Sequence, residues 1–183
     1  MNNLLKSVAD CAALVMCGSV FAQNPMVGGK DMSSRMNIVQ NALNSPKHTT
    51  LVAAVKAAGL VDVLMGNGPF TVFAPTNDAF SDLPAGAVDN LLKPENMSML
   101  KKVLTYHVVA GNYSSKDLMN LIHKGHGTAS LKTVSGGTLW FMMNGPTNIV
   151  IKDEMGGIAD ISTYDIMQSN GVIHVIDAVL MPN

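Results

Sequence analysis

The chain has 183 residues, of which 48% are hydrophobic and only 14% are charged. Its 12 basic and 13 acidic residues leave a formal net charge of −1 at pH 7. The composition therefore lacks the basic footprint of a nucleic-acid-binding protein and also an acidic solvating tail. No apolar run reaches about 20 residues, so we predict no conventional membrane-spanning helix. This length predicts one domain with a sizeable core.

Residues 1–22 are typical of a secretory signal peptide. Lys6 precedes a mostly apolar stretch, and small side chains precede a predicted cleavage after Ala22. Lipidation of Cys17 is the alternative. Cleavage after Ala22 would remove Cys11 and Cys17, the only two cysteines, and leave no thiol or disulfide. We therefore expect a secreted, periplasmic or cell-surface protein.

Short helices dominate the first part of the remaining chain. Residues 23–36 contain Asn-Pro and Gly-Gly pairs and predict a flexible lead-in. Helical spacing then begins at Asn37. Helices are predicted over residues 37–44, 51–58, 77–80, 85–92, 94–104 and 116–123, and strands over 70–74 and 106–110. Thr49 or Thr50 can cap the second helix, and Gly59 is placed to end it.

The last sixty residues change to the pattern of strands. Strands are predicted over residues 128–134, 138–143, 148–152, 158–164 and 171–180, with glycine-rich turns between them. The last of these is nearly all apolar, which predicts burial on both faces. Helices followed by a hairpin-rich sheet predict an α+β fold.

Three segments together resemble the fasciclin domain family. Residues 68–80 (GPFTVFAPTNDAF) resemble its first signature, residues 104–109 (LTYHVV) its central Tyr-His segment, and residues 170–177 (NGVIHVID) its second signature. Their order and spacing fit one domain over residues 37–182. The resemblance implies a β-wedge with helices packed around it. The residues expected to build this architecture are Phe73, Pro75, Thr76, Asn77, Phe80, Gly171 and His174.

The resemblance also implies that the protein acts by adhesion, through contact with a protein, a matrix component or a second copy of itself. In the family, the Tyr-His segment has been tied to cell adhesion, which carries over to Tyr106 and His107. An Asp-Ile pair implicated in receptor binding by animal relatives carries over to Asp165 and Ile166. From the residues alone, His107 and His174 are expected as buried neutral imidazoles bonded to backbone or hydroxyl groups.

No motif predicts catalysis or a cofactor. The sequence has no Gly-x-Ser-x-Gly elbow, no phosphate-cradling loop and no His-Glu-x-x-His pair. His123 and His126 have a spacing that could place both on one metal ion if a helix continued through them. Gly125 and Gly127 predict that the helix ends there, so we predict no metal site and no enzyme.

The 14 methionines leave a second class of function open, a periplasmic Cu(I)-binding protein. Thioethers are soft ligands that suit Cu(I). Met97 with Met99 and Met142 with Met143 are the candidate clusters. Three more methionines lie in the predicted lead-in: Met26, Met32 and Met36. The simpler interpretation is that Met97 belongs to a helix core and that the others fill irregular gaps.

Overall fold

A computed structural model of the protein describes residues 25–183. The predicted signal peptide and the alternative lipidation at Cys17 lie outside the described residues. Within this range, none of the helices combines the length and the apolar character needed to cross a membrane.

The described residues form seven α-helices, one 3-10 turn and nine strands. The helices are α1 (Ile38–Asn44), α2 (Thr49–Ala57), α3 (Val61–Met65), α4 (Asn77–Ser81), α5 (Ala87–Leu91), α6 (Met97–Tyr106) and α7 (Ser115–Lys124), and the 3-10 turn Pro94–Asn96 precedes α6. The strands are β1 (Met26–Val27), β2 (Lys30–Asp31), β3 (Phe70–Pro75), β4 (Val108–Ala110), β5 (Thr128–Lys132), β6 (Thr138–Asn144), β7 (Asn148–Lys152), β8 (Ile158–Gln168) and β9 (Gly171–Ile176).

Seven strands form one mixed sheet in the order β4-β3-β9-β8-β7-β6-β5. Neighbouring strands are antiparallel except β3 and β9, which are parallel. A bridge between Val109 and Thr133 connects β4 to the segment after β5, so the two ends of the sheet nearly meet. The predicted α+β class and the wedge of strands with helices around it are confirmed.

The parallel pair β3–β9 separates two hydrophobic cores. Its register runs from Phe70 opposite Gly171 to Pro75 opposite Ile176. On one side of the pair, alternate side chains pack in a core with the helices α1, α2, α4 and α6. On the other side, the intervening side chains pack in a core with α7 and the strands β5–β8. Burial of the last strand on both faces is therefore confirmed.

The polar residues after β3 fix two helices at once. The Thr76 hydroxyl accepts a hydrogen bond from the Ala79 N–H at 3.3 Å and caps α4, as predicted. Asn77 Oδ1 accepts from the Thr50 N–H at 3.1 Å, while its amide donates to the Pro46 carbonyl at 3.0 Å. The start of α2 is thus capped by a residue from a distant element, and not by a threonine of its own.

The central Tyr-His segment differs from the predicted strand over 106–110. Helix α6 extends through Tyr106, and the His107 N–H still donates to the Leu104 carbonyl at 3.2 Å, which closes the last helical turn. The strand β4 therefore starts only at Val108. The final strand also ends earlier than predicted, at Ile176; Val179 and Leu180 beyond it are buried but do not belong to a strand.

The segment expected as a flexible lead-in is folded from residue 25 onward. Gly28 and Gly29 have φ values of 62° and 78° and turn the chain into the two-stranded hairpin β1–β2, because positive φ at both central residues suits a tight hairpin. Val27 and Met32 are then buried in the core beside α1 and α2. The glycines that suggested flexibility instead make a defined turn.

Replacing Gly171 by alanine tests the close approach of β3 and β9. A Cβ atom on Gly171 would overlap the carbonyl oxygen of Phe70, so the two central strands would have to separate. We expect the free energy of unfolding to fall by about 3 kcal/mol or more.

Gly145→Ala is the matched control, measured by urea unfolding beside Gly171→Ala. Gly145 has a φ of 83°, and a Cβ atom there meets nothing within 4 Å. Only backbone strain of about 1 kcal/mol should result. Equal losses in the two variants would show that the strand contact does not control stability.

Candidate functional site

Tyr106 is a buried connection between α6 and the antiparallel part of the sheet. Its side chain is fully buried in the core beside α7. The hydroxyl donates to the Thr138 carbonyl at 2.8 Å and accepts from the Glu154 N–H at 3.0 Å. Burial raises the pKa of Tyr106 to about 12. The phenol therefore satisfies backbone groups of β6 and of the β7–β8 turn, and it offers no surface to a partner.

His107 ties α6 to the chain that follows β9. Its Nδ1 lies 2.8 Å from the Val103 carbonyl, and its Nε2 accepts from the Leu180 N–H at 3.0 Å. Because a carbonyl can only accept, Nδ1 carries the proton. Burial lowers the pKa of His107 to about 4. This is the neutral imidazole, bonded to backbone groups, that its apolar context predicts.

His174 has the opposite tautomer on the central strand β9. Its Nε2 donates to the Tyr113 carbonyl at 2.8 Å, and the Asp165 N–H points to Nδ1 at 3.4 Å. The ring stacks on Phe73, its neighbour on β3, with centroids 5.6 Å apart. Burial lowers the pKa of this imidazole. His174 therefore joins the central strands to the loop before α7.

Asp165 and Ile166 occupy an irregular part of β8. Asp165 has a φ of 55° and lies where the pairing with β9 shifts register. Its carboxylate accepts from the Ser115 N–H at 2.6 Å and from the Ser115 hydroxyl. Ile166 is only 1% exposed. Asp165 thus holds the start of α7 against β8, whereas Ile166 packs in the other core, with α1 and α2.

The structure does not gather the four predicted adhesion residues into one surface. Tyr106, His107 and Ile166 are buried, and Asp165 is half-buried and bonded to Ser115. Within residues 25–183, no hydrogen bond connects the Tyr-His pair to the Asp-Ile pair. These four side chains therefore do not form an exposed contact surface.

Neither predicted methionine pair presents two thioethers to one point. Met97 packs against the helical core whereas Met99 is 49% exposed, because residues two apart on a helix point in different directions. Met142 and Met143 are adjacent in β6 and point to opposite faces of the sheet. Of the three methionines in the predicted lead-in, Met32 is buried, while Met26 and Met36 are exposed.

The predicted histidine spacing does not produce a metal site either. Helix α7 ends at Lys124, and His126 follows with a φ of 54°, so the helix does not continue from His123 to His126. No group of three His, Cys, Asp or Glu side chains that could hold a metal ion occurs among residues 25–183.

An exposed apolar surface lies on the outer side of β6, β7 and β8. In β6, Leu139 and Phe141 are buried in the core, whereas Trp140 and Met142 lie half-buried on the outer side. Trp140 lies opposite Lys152 across the β6–β7 pair, and Met142 lies opposite Val150. The apolar side chains of this outer surface, here called the Trp140 face, are half-buried Trp140 and Met142 and exposed Met155 and Ile158, while Val150 on the same side is buried.

The Trp140 face contains a groove of about 460 Å³ beside the β7–β8 turn. Met155 and Ile158 are 65% and 57% exposed, and Lys152 lies exposed between Trp140 and Ile158. The Glu154 carboxylate at its border accepts from the N–H groups of Thr138 at 2.9 Å and Asn183 at 3.2 Å. An exposed apolar patch with a polar border is typical of a protein interaction surface.

Sequence reasoning missed this surface although it predicted the strand that carries it. A period of two shows that Leu139 and Phe141 share one face while Trp140 and Met142 share the other. It does not say which face is buried, because both sets are apolar. Thr128 and Ser130, the polar residues at alternate positions of β5, were the sequence feature that could have indicated which face of the sheet is exposed.

Two other cavities have less to offer a ligand. The apolar cavity between α1, α2 and β3 holds about 40 Å³, room for little more than one water molecule. A polar groove of about 470 Å³ borders Asn170. The Asn170 side chain there is already bonded to the Ile38 N–H and to the carbonyls of Leu64 and Gly66.

Fold and site together define a two-core α+β domain whose three signature segments are structural. The fasciclin domain family model matches residues 46–182, and the chain belongs to this family. Over 149 residues it is 45% identical to protein sll1483 of Synechocystis, covering 81% of this chain and 75% of that protein.

Mycobacterial relatives and a solved structure extend the comparison. Immunogenic protein MPB70 of Mycobacterium bovis is 37% identical over 146 residues, which cover 77% of this chain and 66% of that protein. Cell surface glycolipoprotein MPB83 of the same species is 34% identical over 186 residues, covering 96% and 76%. A FAS1 domain pair from the insect cell adhesion molecule Fasciclin I has a TM-score of 0.71 at 21% identity, covering 80% of this chain and 51% of that chain. This last similarity shows a shared fold.

The contact of Asp165 with Ser115 should contribute measurably to stability. In a double-mutant cycle with Asp165→Ala and Ser115→Ala, we expect a coupling free energy of about 2 kcal/mol, because the Ser115 hydroxyl donates to a carboxylate; the bond from the Ser115 N–H is kept in Ser115→Ala and adds only to the loss in Asp165→Ala. Urea unfolding of the four proteins measures it. Additive losses would mean that the bond between the Ser115 hydroxyl and the Asp165 carboxylate does not stabilise the protein.

The buried imidazole of His107 should make the protein less stable in acid. Its pKa is lowered from 6.5 to about 4 in the folded chain, so between these values the unfolded chain binds a proton that the folded chain does not. This contribution to stability is complete above pH 6.5. It falls by about 1.4 kcal/mol per pH unit as the pH approaches 4. His48 and His174, whose pKa values burial also lowers, steepen the loss.

Urea unfolding between about pH 7.5 and 4.5 measures this slope. His107→Gln keeps a side chain that can donate and accept without titrating, so its slope should be shallower. His123→Gln, at the exposed end of α7, is the matched control and should leave the slope unchanged. An equal slope in His107→Gln and the unaltered protein would contradict the assignment.

Proposed function

We propose that the protein is an exported, non-catalytic binding protein that acts in adhesion, by contacting a protein or a matrix component through the Trp140 face. Family membership supports this proposal. One relative is named a cell surface glycolipoprotein, and the protein with the similar fold is a cell adhesion molecule. The predicted signal peptide at residues 1–22 supports a location outside the cytoplasm.

The observation that carries the proposal is the exposure of large apolar side chains around the chain's single tryptophan. Trp and Met are enriched at the centres of protein interfaces, and a few such side chains supply most of the binding free energy. The inner face of the same strands is fully packed, so the outer side chains are not needed to complete the core.

The border of the Trp140 face favours short-range contact. The buried Asp153 carboxylate accepts from the N–H groups of Gly157 at 2.6 Å and Met181 at 2.9 Å. Both of its oxygens are therefore bonded within the protein. Lys152 is the exposed charge in the groove. With a net charge of −1 for the whole chain, long-range steering contributes little, and affinity has to come from apolar burial.

The effect on adhesion that is tied to the family's Tyr-His and Asp-Ile segments can be explained without direct contact between these residues and a partner. Tyr106 and His107 bond to backbone groups of four separate segments, and Asp165 bonds to Ser115. Changing them would unfold or loosen the domain and so abolish adhesion indirectly. A variant of these residues that stays folded should therefore still attach.

Trp140→Ala tests the face directly. We expect attachment of the purified protein to cells or isolated matrix to weaken at least roughly tenfold, as for loss of an aromatic side chain at the centre of an interface. Met99→Ala, which removes an exposed side chain from α6, is the matched control and should attach normally. Urea unfolding verifies that both variants are folded. Normal attachment by Trp140→Ala would refute the proposed face.

A further inference from the structure

We propose that Met155 is an oxidation site, at which a peroxide converts the thioether to the sulfoxide and makes the Trp140 face polar. Loss of partner binding on oxidation rests on the function proposed above. The modification itself, and its effect on the groove beside Trp140, do not depend on that function.

The position of Met155 makes its sulfur accessible without unfolding. At 65%, it is the most exposed of the large hydrophobic side chains in residues 25–183. It lies in the β7–β8 turn, where the Asp153 N–H donates to the Gly157 carbonyl at 2.9 Å and the Asp153 carboxylate accepts from the Gly157 N–H at 2.6 Å. The turn is held by these bonds, and the Met155 side chain has no core position to maintain.

The same side chain lines the groove with Trp140, Met142 and Lys152. Met142 is half-buried and Met143 packs against the core, so peroxide should reach them more slowly. Other exposed methionines lie away from the Trp140 face: Met26, Met36, Met65, Met99 and Met167. Their oxidation should leave the Trp140 face unchanged, which makes them internal controls.

The chemistry needs only a peroxide. The sulfur lone pair attacks one peroxide oxygen, a sulfur–oxygen bond forms, and the oxygen–oxygen bond breaks. The sulfur is oxidised by two electrons. With hydrogen peroxide, the leaving hydroxide takes the proton of the transferred oxygen and departs as water. The product is a sulfoxide, which reductases can return to the thioether.

A sulfoxide in this groove opposes apolar contact. Its oxygen is a strong hydrogen-bond acceptor, and it has to lose water when a partner covers the face. Oxidation of Met155 should therefore weaken attachment by about tenfold, the effect of covering one polar group without a partner.

The experiment uses hydrogen peroxide on the folded protein with three readouts. Peptide mass mapping gives the oxidation rate of each methionine. Emission from the chain's single tryptophan reports the environment of the groove, and attachment to cells or isolated matrix reports binding. Met155→Leu is the test variant, and Met99→Leu is the matched control.

We expect Met155 to oxidise faster than Met142 and Met143. The Trp140 emission should shift on oxidation of the unaltered protein and of Met99→Leu, but not of Met155→Leu, and attachment should follow the same pattern and recover with a sulfoxide reductase. Slow oxidation of Met155, or an emission shift in Met155→Leu equal to that of the unaltered protein, would overturn the oxidation site. Normal attachment of the fully oxidised protein would overturn the loss of binding.

The outcomes separate the two proposals. If the untreated protein does not attach at all, the proposed function fails, while mass mapping and Trp140 emission still decide whether Met155 is the oxidation site. If untreated protein attaches and oxidised protein attaches equally well, the proposed function stands and the effect of oxidation on binding fails.

Discussion

Strands β3 and β9 lie parallel inside the sheet, and both faces of each strand are covered. One comes from the first signature segment and the other from the last, so both cores are complete only when chain segments about 100 residues apart in sequence are paired. Gly171 permits the approach, and Phe73 stacks on His174 across the pair. Because alternate side chains enter different cores, the helical layer and the antiparallel strands both depend on this contact.

The polar residues of the signature segments attach irregular chain to this centre. His107 accepts a hydrogen bond from the Leu180 N–H, and His174 donates one to the Tyr113 carbonyl. Asn170 accepts one from the Ile38 N–H. A buried backbone group without such a partner would be costly, so side chains replace the partners that a longer helix or strand would supply. These polar residues of the signature segments are thereby committed to architecture, and the proposed binding surface, the Trp140 face, lies apart from them.

Local sequence patterns predicted the helices and strands themselves better than the contacts between them. A short apolar segment between turn residues predicted the β7 strand with its observed limits, and Gly59, with a φ of 65°, ends α2 as expected. The cap that Asn77 gives to α2 could not be predicted, because it comes from another element. Burial of Val27 likewise depends on packing against helices that come later in the chain. The exposed side of β6 was undetermined since both its faces are apolar.

Hydroxyl-radical footprinting of the protein, free and attached to cells or matrix, tests most directly whether binding occurs on the Trp140 face and not at the signature segments. We predict that labelling of Trp140, Met142 and Met155 falls on attachment, while exposed Met99 on α6 is labelled equally in both states. Labelling of Tyr106, already buried in the free protein, should stay low throughout. Unchanged labelling of Trp140 and Met155, with protection elsewhere, would contradict binding through the Trp140 face.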